Sequence, residues 1–165
     1  MTLTRGAELL DALKRQGLPV VALNYPPECS YTLAIVAVKK LYAGVAGDVA
    51  HVIWGTSSAG SNTPYIIIVQ DDVDPFNIAQ AFHALATKCH PYKGIVRVEH
   101  STTASLLPWL SRLEREYGLG SAAYFDCTWP LDWDPKDVPK RVSLAESYSS
   151  KIQRKALATW RKYGY

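Results

Sequence analysis

Three aspartates, Asp71, Asp72 and Asp74, lie within four positions, and clustered carboxylates are the donors that a hard divalent cation prefers. The same residues precede a helical pattern, where Asp74 is a good N-cap, Pro75 suits the first helical position and negative charge favours the positive end of the helix. Capping accounts for the cluster, so no metal ion is expected. Asp71 and Asp72 still fall at the carboxyl end of a strand, where α/β sheets place ligands, and Asp71 is a candidate acid or base. Among His51, His83, His90 and His100 no pair has the spacing of a zinc site, even with Cys89 next to His90. His90, at a helix end before Pro91, is the candidate general acid or base of the four, with a capping or surface histidine as the plainer alternative. Cys29 has no histidine neighbour in sequence and is expected to be an inert thiol. Tyr124 and Asp126, read as lying on opposite faces of a strand near its end, are candidates to hold a polar group of a substrate. Core packing for Tyr124 and turn capping for Asp126 are the ordinary alternatives.

These residues need elements to position them. Leu9, Leu10 and Leu13 followed by Lys14, Arg15, Gly17 and Pro19 predict a short amphipathic helix ending near Gln16. Val20 to Asn24 and Tyr31 to Val38 read as strands, separated by Pro26, Pro27, Glu28 and Cys29. Helical spacing recurs from Tyr42 to Trp54, although Gly44 and Gly47 weaken its start. Gly55 to Thr63 is too poor in apolar residues to pack, so a flexible loop is expected over about 55–64, and it lacks the lysine of a phosphate cradle. Tyr65 to Gln70 is a continuous apolar run, the pattern of a strand covered on both faces. A helix capped by Asp74 follows, with Ile78, Ala79, Phe82 and Leu85 inward and an end near Lys88. A strand at Gly94 to Val98, a short helix from Leu106 to Tyr117 and a strand at Ala122 to Cys127 come next. An irregular span covers Thr128 to Pro139, and a helix over about 149–163 carries Ile152, Ala156 and Trp160 on a buried stripe. The alternation predicts an α/β fold, a layered single domain over 1–165 with a mixed β-sheet flanked by helices.

With 165 residues, 48% hydrophobic and 20% charged, the chain has material for one core rather than two. A net charge of +3 from 18 basic and 15 acidic residues gives no strong field of one sign, and nucleic acid is not an expected partner. The basic residues Lys151, Arg154, Lys155, Arg161 and Lys162 read as the solvated face of the last helix. No apolar run approaches the roughly 20 residues of a membrane span. Three cysteines at wide spacing fit a reducing compartment, so a cytoplasmic protein is expected.

The strand Ile66 to Gln70, the turn Asp71-Asp72-Val73-Asp74-Pro75 and the helix segment Ala84-Leu85-Ala86-Thr87-Lys88 resemble the strand, turn and helix of UbiD-family decarboxylases, in particular the ferulic acid decarboxylase branch. Gly17-Leu18-Pro19-Val20, Tyr124-Phe125-Asp126-Cys127-Thr128 with Pro130, and Ile152-Gln153-Arg154-Lys155 with Trp160, Tyr163 and Gly164 follow the same family pattern in the same order. The resemblance covers nearly the whole chain and concerns the family's C-terminal domain alone.

In that family a prenylated flavin mononucleotide, held with a metal ion by an N-terminal domain, performs decarboxylation, and the C-terminal domain dimerises and closes over the site. The resemblance places Tyr65 where relatives carry a lysine that reaches the flavin phosphate; a phenol cannot neutralise a phosphate. It places Trp109 and Leu110 near apolar substrate-facing positions. It therefore implies a natural, stand-alone C-terminal domain without a cofactor, with Tyr65, Trp109 and Leu110 as substrate-binding candidates and Asp71, His90 and Asp126 as catalytic ones. The expected function is a small cofactor-free lyase or isomerase acting on an unsaturated or aromatic carboxylic acid, in a homodimer. The alternative is a non-catalytic dimerisation or partner subunit of a full-length UbiD-type decarboxylase.

Overall fold

A computed structural model describes residues 2–56, 60–139 and 147–163. Residues 1–131 form one compact unit and residues 132–165 a second.

At the centre of the first unit is β3 (Tyr65–Gln70), with Ile66 to Val69 all buried. Successive residues of a strand face opposite ways, so Ile66 and Ile68 enter one core and Ile67 and Val69 the other. Parallel partners flank it: β2 (Leu33–Val38) on one side and β5 (Leu119–Cys127) on the other. The sheet is closed by antiparallel edge strands, β1 (Val20–Asn24) on β2 and β4 (Ile95–Thr102) on β5, in the order β1-β2-β3-β5-β4. Helices α1 (Thr2–Arg15) and α2 (Val45–Gly55) cover one face through Leu9, Leu13, Val49 and Ile53. Helix α3 (Ile78–Lys88) covers the other through Ala81 and Ala84. The expected mixed sheet between helices is present. No helix among the described residues is long and apolar enough to cross a membrane.

Local chemistry accounts for most boundaries. Gly17 (φ 75°) ends α1: its N–H donates to Lys14 O at 3.0 Å and that of Leu18 to Leu13 O at 3.2 Å, the paired bonds of a left-handed helix terminus. Helix α2 starts only at Val45, after Gly44 in the left-handed region, rather than at Tyr42. Strand β2 starts at Leu33, because Ser30 (φ 46°) and Tyr31 (φ 67°) are left-handed and leave the extended region. The N-cap of α3 is Asn77, whose Oδ1 accepts the Gln80 N–H at 3.2 Å. Asp74 and Pro75 lie outside the helix, and Asp74 instead accepts the Phe76 N–H at 3.0 Å in a local turn. The inward face of α3 runs through Ile78, Ala81, Ala84 and Leu85, so Phe82, expected inside, is 58% exposed. Helix α4 is confined to Arg112–Tyr117 by a capping box between Ser111 and Glu114.

Residues 57–59 of the expected loop lie outside the described residues; Gly60 to Thr63 form a packed turn. A Cβ on Gly60 would lie 2.4 Å from the carbonyl oxygens of Ile53 and Trp54, so only glycine allows this approach to the end of α2. Thr63 is fully buried, and its carbonyl accepts the Trp54 indole N–H at 2.9 Å.

In the second unit α5 (Ser150–Thr159) continues into a 3-10 turn at Trp160–Tyr163. Its apolar stripe is not buried: Ile152 and Trp160 are each 49% exposed. The family-like ending at Gly164 and Tyr165 lies outside the described residues.

Candidate ligand-binding cleft and carboxyl-edge network

Parallel β2, β3 and β5 share a carboxyl edge and an amino edge, and the candidate residues divide between them. Tyr65 and Gln70 are the first and last residues of β3; five rises of about 3.3 Å separate the two edges by roughly 17 Å.

At the carboxyl edge Asp126 meets Lys40, which lies two residues after β2 and was not recognised in the sequence. Lys40 Nζ lies 3.3 Å from Asp126 Oδ2 and donates to Thr128 Oγ1 at 2.7 Å. Asp126 Oδ1 accepts the Thr128 N–H at 3.0 Å and its hydroxyl at 2.5 Å. The lysine side chain is only 9% exposed, so this carboxylate compensates a desolvated ammonium. A second pair lies at the same edge: Lys88 Nζ donates to both carboxylate oxygens of Asp72 at 2.8 and 2.7 Å and rests over the Trp129 ring. Asp71 beside it is exposed. Tyr124 and Asp126, two residues apart on one strand, share a face rather than lying on opposite ones. Burial first, and then the carboxylates of Asp126 and Asp48, push the Tyr124 phenol up.

His90 follows α3. Its Nδ1 accepts the N–H groups of Tyr92 (3.1 Å) and Lys93 (3.2 Å), so the imidazole caps a turn and holds its own hydrogen on Nε2. Behind it the Cys89 and Cys127 sulfurs are within hydrogen-bonding reach, and burial raises both thiols. Among the described residues no three histidine, cysteine or acidic side chains converge as metal ligands. Asp71, His90 and Asp126 all belong to the carboxyl edge, where one is exposed, one caps a turn and one neutralises a lysine.

At the amino edge Tyr65 packs on Trp109 with ring centroids 5.5 Å apart. Trp109 lines a cleft of about 530 Å³ with Leu106, Pro108, Tyr31, Asn62 and Arg5. Leu110, expected to face a substrate, is instead buried, its Cδ2 3.3 Å from where a Cβ on Gly120 would lie. The far wall is the Cys29 to Thr32 turn. Its strain is held by Thr32, whose N–H and hydroxyl both donate to Cys29 O at 2.9 and 2.7 Å, and by Thr63, whose hydroxyl donates to Tyr31 O at 3.3 Å. Burial, then Glu28, raise the Cys29 thiol, which favours its protonated, less nucleophilic form. Arg5 lies over the Tyr31 ring at 5.3 Å. Arg5 and Tyr31 were missed because one precedes any recognisable motif and the other was read as part of a strand.

The amino-edge cleft combines the Tyr31 and Trp109 rings and apolar Leu106, Leu107 and Pro108 with one cation, Arg5, and one carboxylate, Glu28; at the carboxyl edge Lys40 and Lys88 are each paired with an aspartate. Comparison with known proteins agrees with the sheet and the order of its elements. The chain is 27% identical over 96% of its length to the pyrrole-2-carboxylic acid decarboxylase of Pseudomonas aeruginosa, of which it covers 34%. It superposes on the vanillic acid decarboxylase of Sedimentibacter hydroxybenzoicus in open form with a TM-score of 0.73 and 26% identity, over 99% of this chain and 33% of that one. A UbiD-class enzyme of Pelotomaculum thermopropionicum in complex with FMN shares the fold, with a TM-score of 0.76 at 20% identity over 96% of this chain and 33% of that one. The chain therefore spans about a third of the length of these relatives. Residues 1–127 match the family model described as the 3-octaprenyl-4-hydroxybenzoate carboxy-lyase C-terminal domain, and the chain belongs to this UbiD C-terminal-domain family.

Proposed function

We propose that the chain binds an aromatic or α,β-unsaturated carboxylic acid in the amino-edge cleft and serves UbiD-type decarboxylation as the C-terminal, substrate-facing domain. In this reading its partner is a full-length UbiD-type decarboxylase. The observation that carries this reading is the cleft beside the Tyr65 and Trp109 ring pair. The Tyr31 and Trp109 rings that line it suit a planar unsaturated ligand. In this reading the protein is cytoplasmic and forms a homodimer, supported by its exposed apolar side chains, among them Leu113 and Tyr117 of α4 at 63% and 70% exposure.

A flavin phosphate needs a cation or a nest of N–H donors. The residue that the resemblance places toward it is Tyr65, whose ring is engaged with Trp109, so the residues at that position do not fit a phosphate. No step through a flavin is derived from this chain.

A cofactor-free lyase is a second reading, and the Lys40, Asp126 and Thr128 network favours it as a preorganised polar group at a sheet's carboxyl edge. Against it, none of Asp71, His90 and Asp126 lines the cleft. Incubating the chain with vanillic and pyrrole-2-carboxylic acids, alone and mixed with a full-length UbiD-type decarboxylase, separates the two. Saturable binding without turnover by the chain alone, with co-elution on gel filtration, supports the domain reading. Carbon dioxide release by the isolated chain that Asp126→Asn abolishes would replace it with the cofactor-free enzyme.

A further inference from the structure

We infer that Arg5 is the carboxylate anchor of the amino-edge cleft, which makes the cleft selective for the ionised acid over neutral molecules of the same shape. The inference rests on the cleft being the aromatic-acid site. Arg5 is half-buried on α1 and lines the same cleft as Trp109. Among the described residues it makes no ion pair, unlike Lys40 and Lys88 at the other edge. It lies over the Tyr31 ring, whose centroid is 5.3 Å from the guanidinium carbon. A contact of this kind with the ring occupies no hydrogen-bond acceptor, so the guanidinium keeps N–H donors whose fork matches a carboxylate in two parallel bonds.

The backbone is organised to present this ring. Tyr31 has φ 67°, a conformation uncommon for a bulky residue and costly unless the surroundings impose it. Two bonds from Thr32 to Cys29 O and one from Thr63 to Tyr31 O impose it here, and Tyr25 packs edge-on against the ring at 6.1 Å. An extended residue at this position, as the sequence alone predicts, would turn the ring away from α1. The strained turn therefore preorganises the Arg5 platform before any ligand arrives, which lowers the ordering cost of binding. Glu28, exposed at the rim, is the opposing group: its charge disfavours an anion and restricts entry to ligands that reach Arg5 directly.

Vanillic acid and its neutral isostere vanillamide, titrated into the 165-residue chain by calorimetry at neutral pH, provide the test. The expected result is tighter binding of the acid, weakened about tenfold or more by Arg5→Gln, while vanillamide binding is unchanged. Arg5→Lys, which keeps the charge and loses the fork, should fall between, and serves if Arg5→Gln fails to fold. Glu28→Gln should tighten the acid and leave the amide unaffected. An unchanged acid-to-amide ratio in both Arg5 variants overturns the anchor while leaving the aromatic cleft standing. Binding of both ligands that is insensitive to Trp109→Ala means that the cleft is not their site, and the functional proposal itself then falls.

Discussion

Lys40 and Asp126 form an ion pair that the two partners should not support equally. The lysine side chain is 9% exposed and that of the aspartate 26%. Asp126→Asn preserves the shape and the Oδ1 acceptor that Thr128 uses at 3.0 and 2.5 Å, and deletes only the charge. It leaves a nearly buried ammonium with Thr128 Oγ1 as its remaining partner in the network. Exposed pairs are worth about 0–1 kcal/mol, and breaking a fully buried pair costs about 3–5 kcal/mol. Partial access of water to Asp126 places its substitution between these, at about 2 kcal/mol. Lys40→Met removes the costly charge together with its need for a partner, and leaves an aspartate that keeps both Thr128 bonds and some water. Its cost should stay within about 1 kcal/mol. The double variant should recover most of the loss of Asp126→Asn, a coupling that a double-mutant cycle in urea reads directly provided the m-values agree. If Lys40→Met destabilises as much as Asp126→Asn, the asymmetry of burial is not what governs this pair and the reasoning fails.

Gly60→Ala puts a methyl group 2.4 Å from two backbone oxygens at the end of α2, which cannot rotate aside. It should cost about 3 kcal/mol and lower the thermal midpoint by several degrees in differential scanning calorimetry. The Glu114 carboxyl is held below its ordinary range by the Ser111 side-chain and backbone hydrogen bonds. A lowered folded-state value means that the stabilisation is present above the unfolded value and is lost as pH falls through the folded one. Helix α4 should therefore fray only on acidification, seen as faster exchange of the Glu114 and Arg115 amides relative to the sheet; Glu114→Gln should remove that pH dependence. Burial holds the Cys127 thiol protonated, so iodoacetamide at neutral pH should label Cys29 and Cys89 ahead of it and reach Cys127 only on unfolding.

What the amino-acid order alone determined was the set of elements whose signals are local. The apolar run Ile66 to Val69 could only be a strand covered on both faces, and Gly17 with Leu18 and Pro19 ended α1 by backbone conformation. The Asp71 to Pro75 turn and the Ala84 to Lys88 helix carried the family, because such motifs keep their spacing. Beyond those, long-range packing decided. Asn77 took the cap of α3 from Asp74, and packing on the sheet chose Ala81 and Ala84 as the inward face and left Phe82 to solvent. Lys40 and Asp126 are 86 positions apart and meet only because β2 and β5 run parallel on either side of β3. Arg5 and Trp109, 104 positions apart, line one cleft for the same kind of reason, and Tyr31 supports Arg5 through a left-handed turn that its own side chain disfavours. Periodicity records which face of an element is apolar. Which charges and rings meet across elements depends on strand order and register, and those emerge only when the whole sheet is assembled.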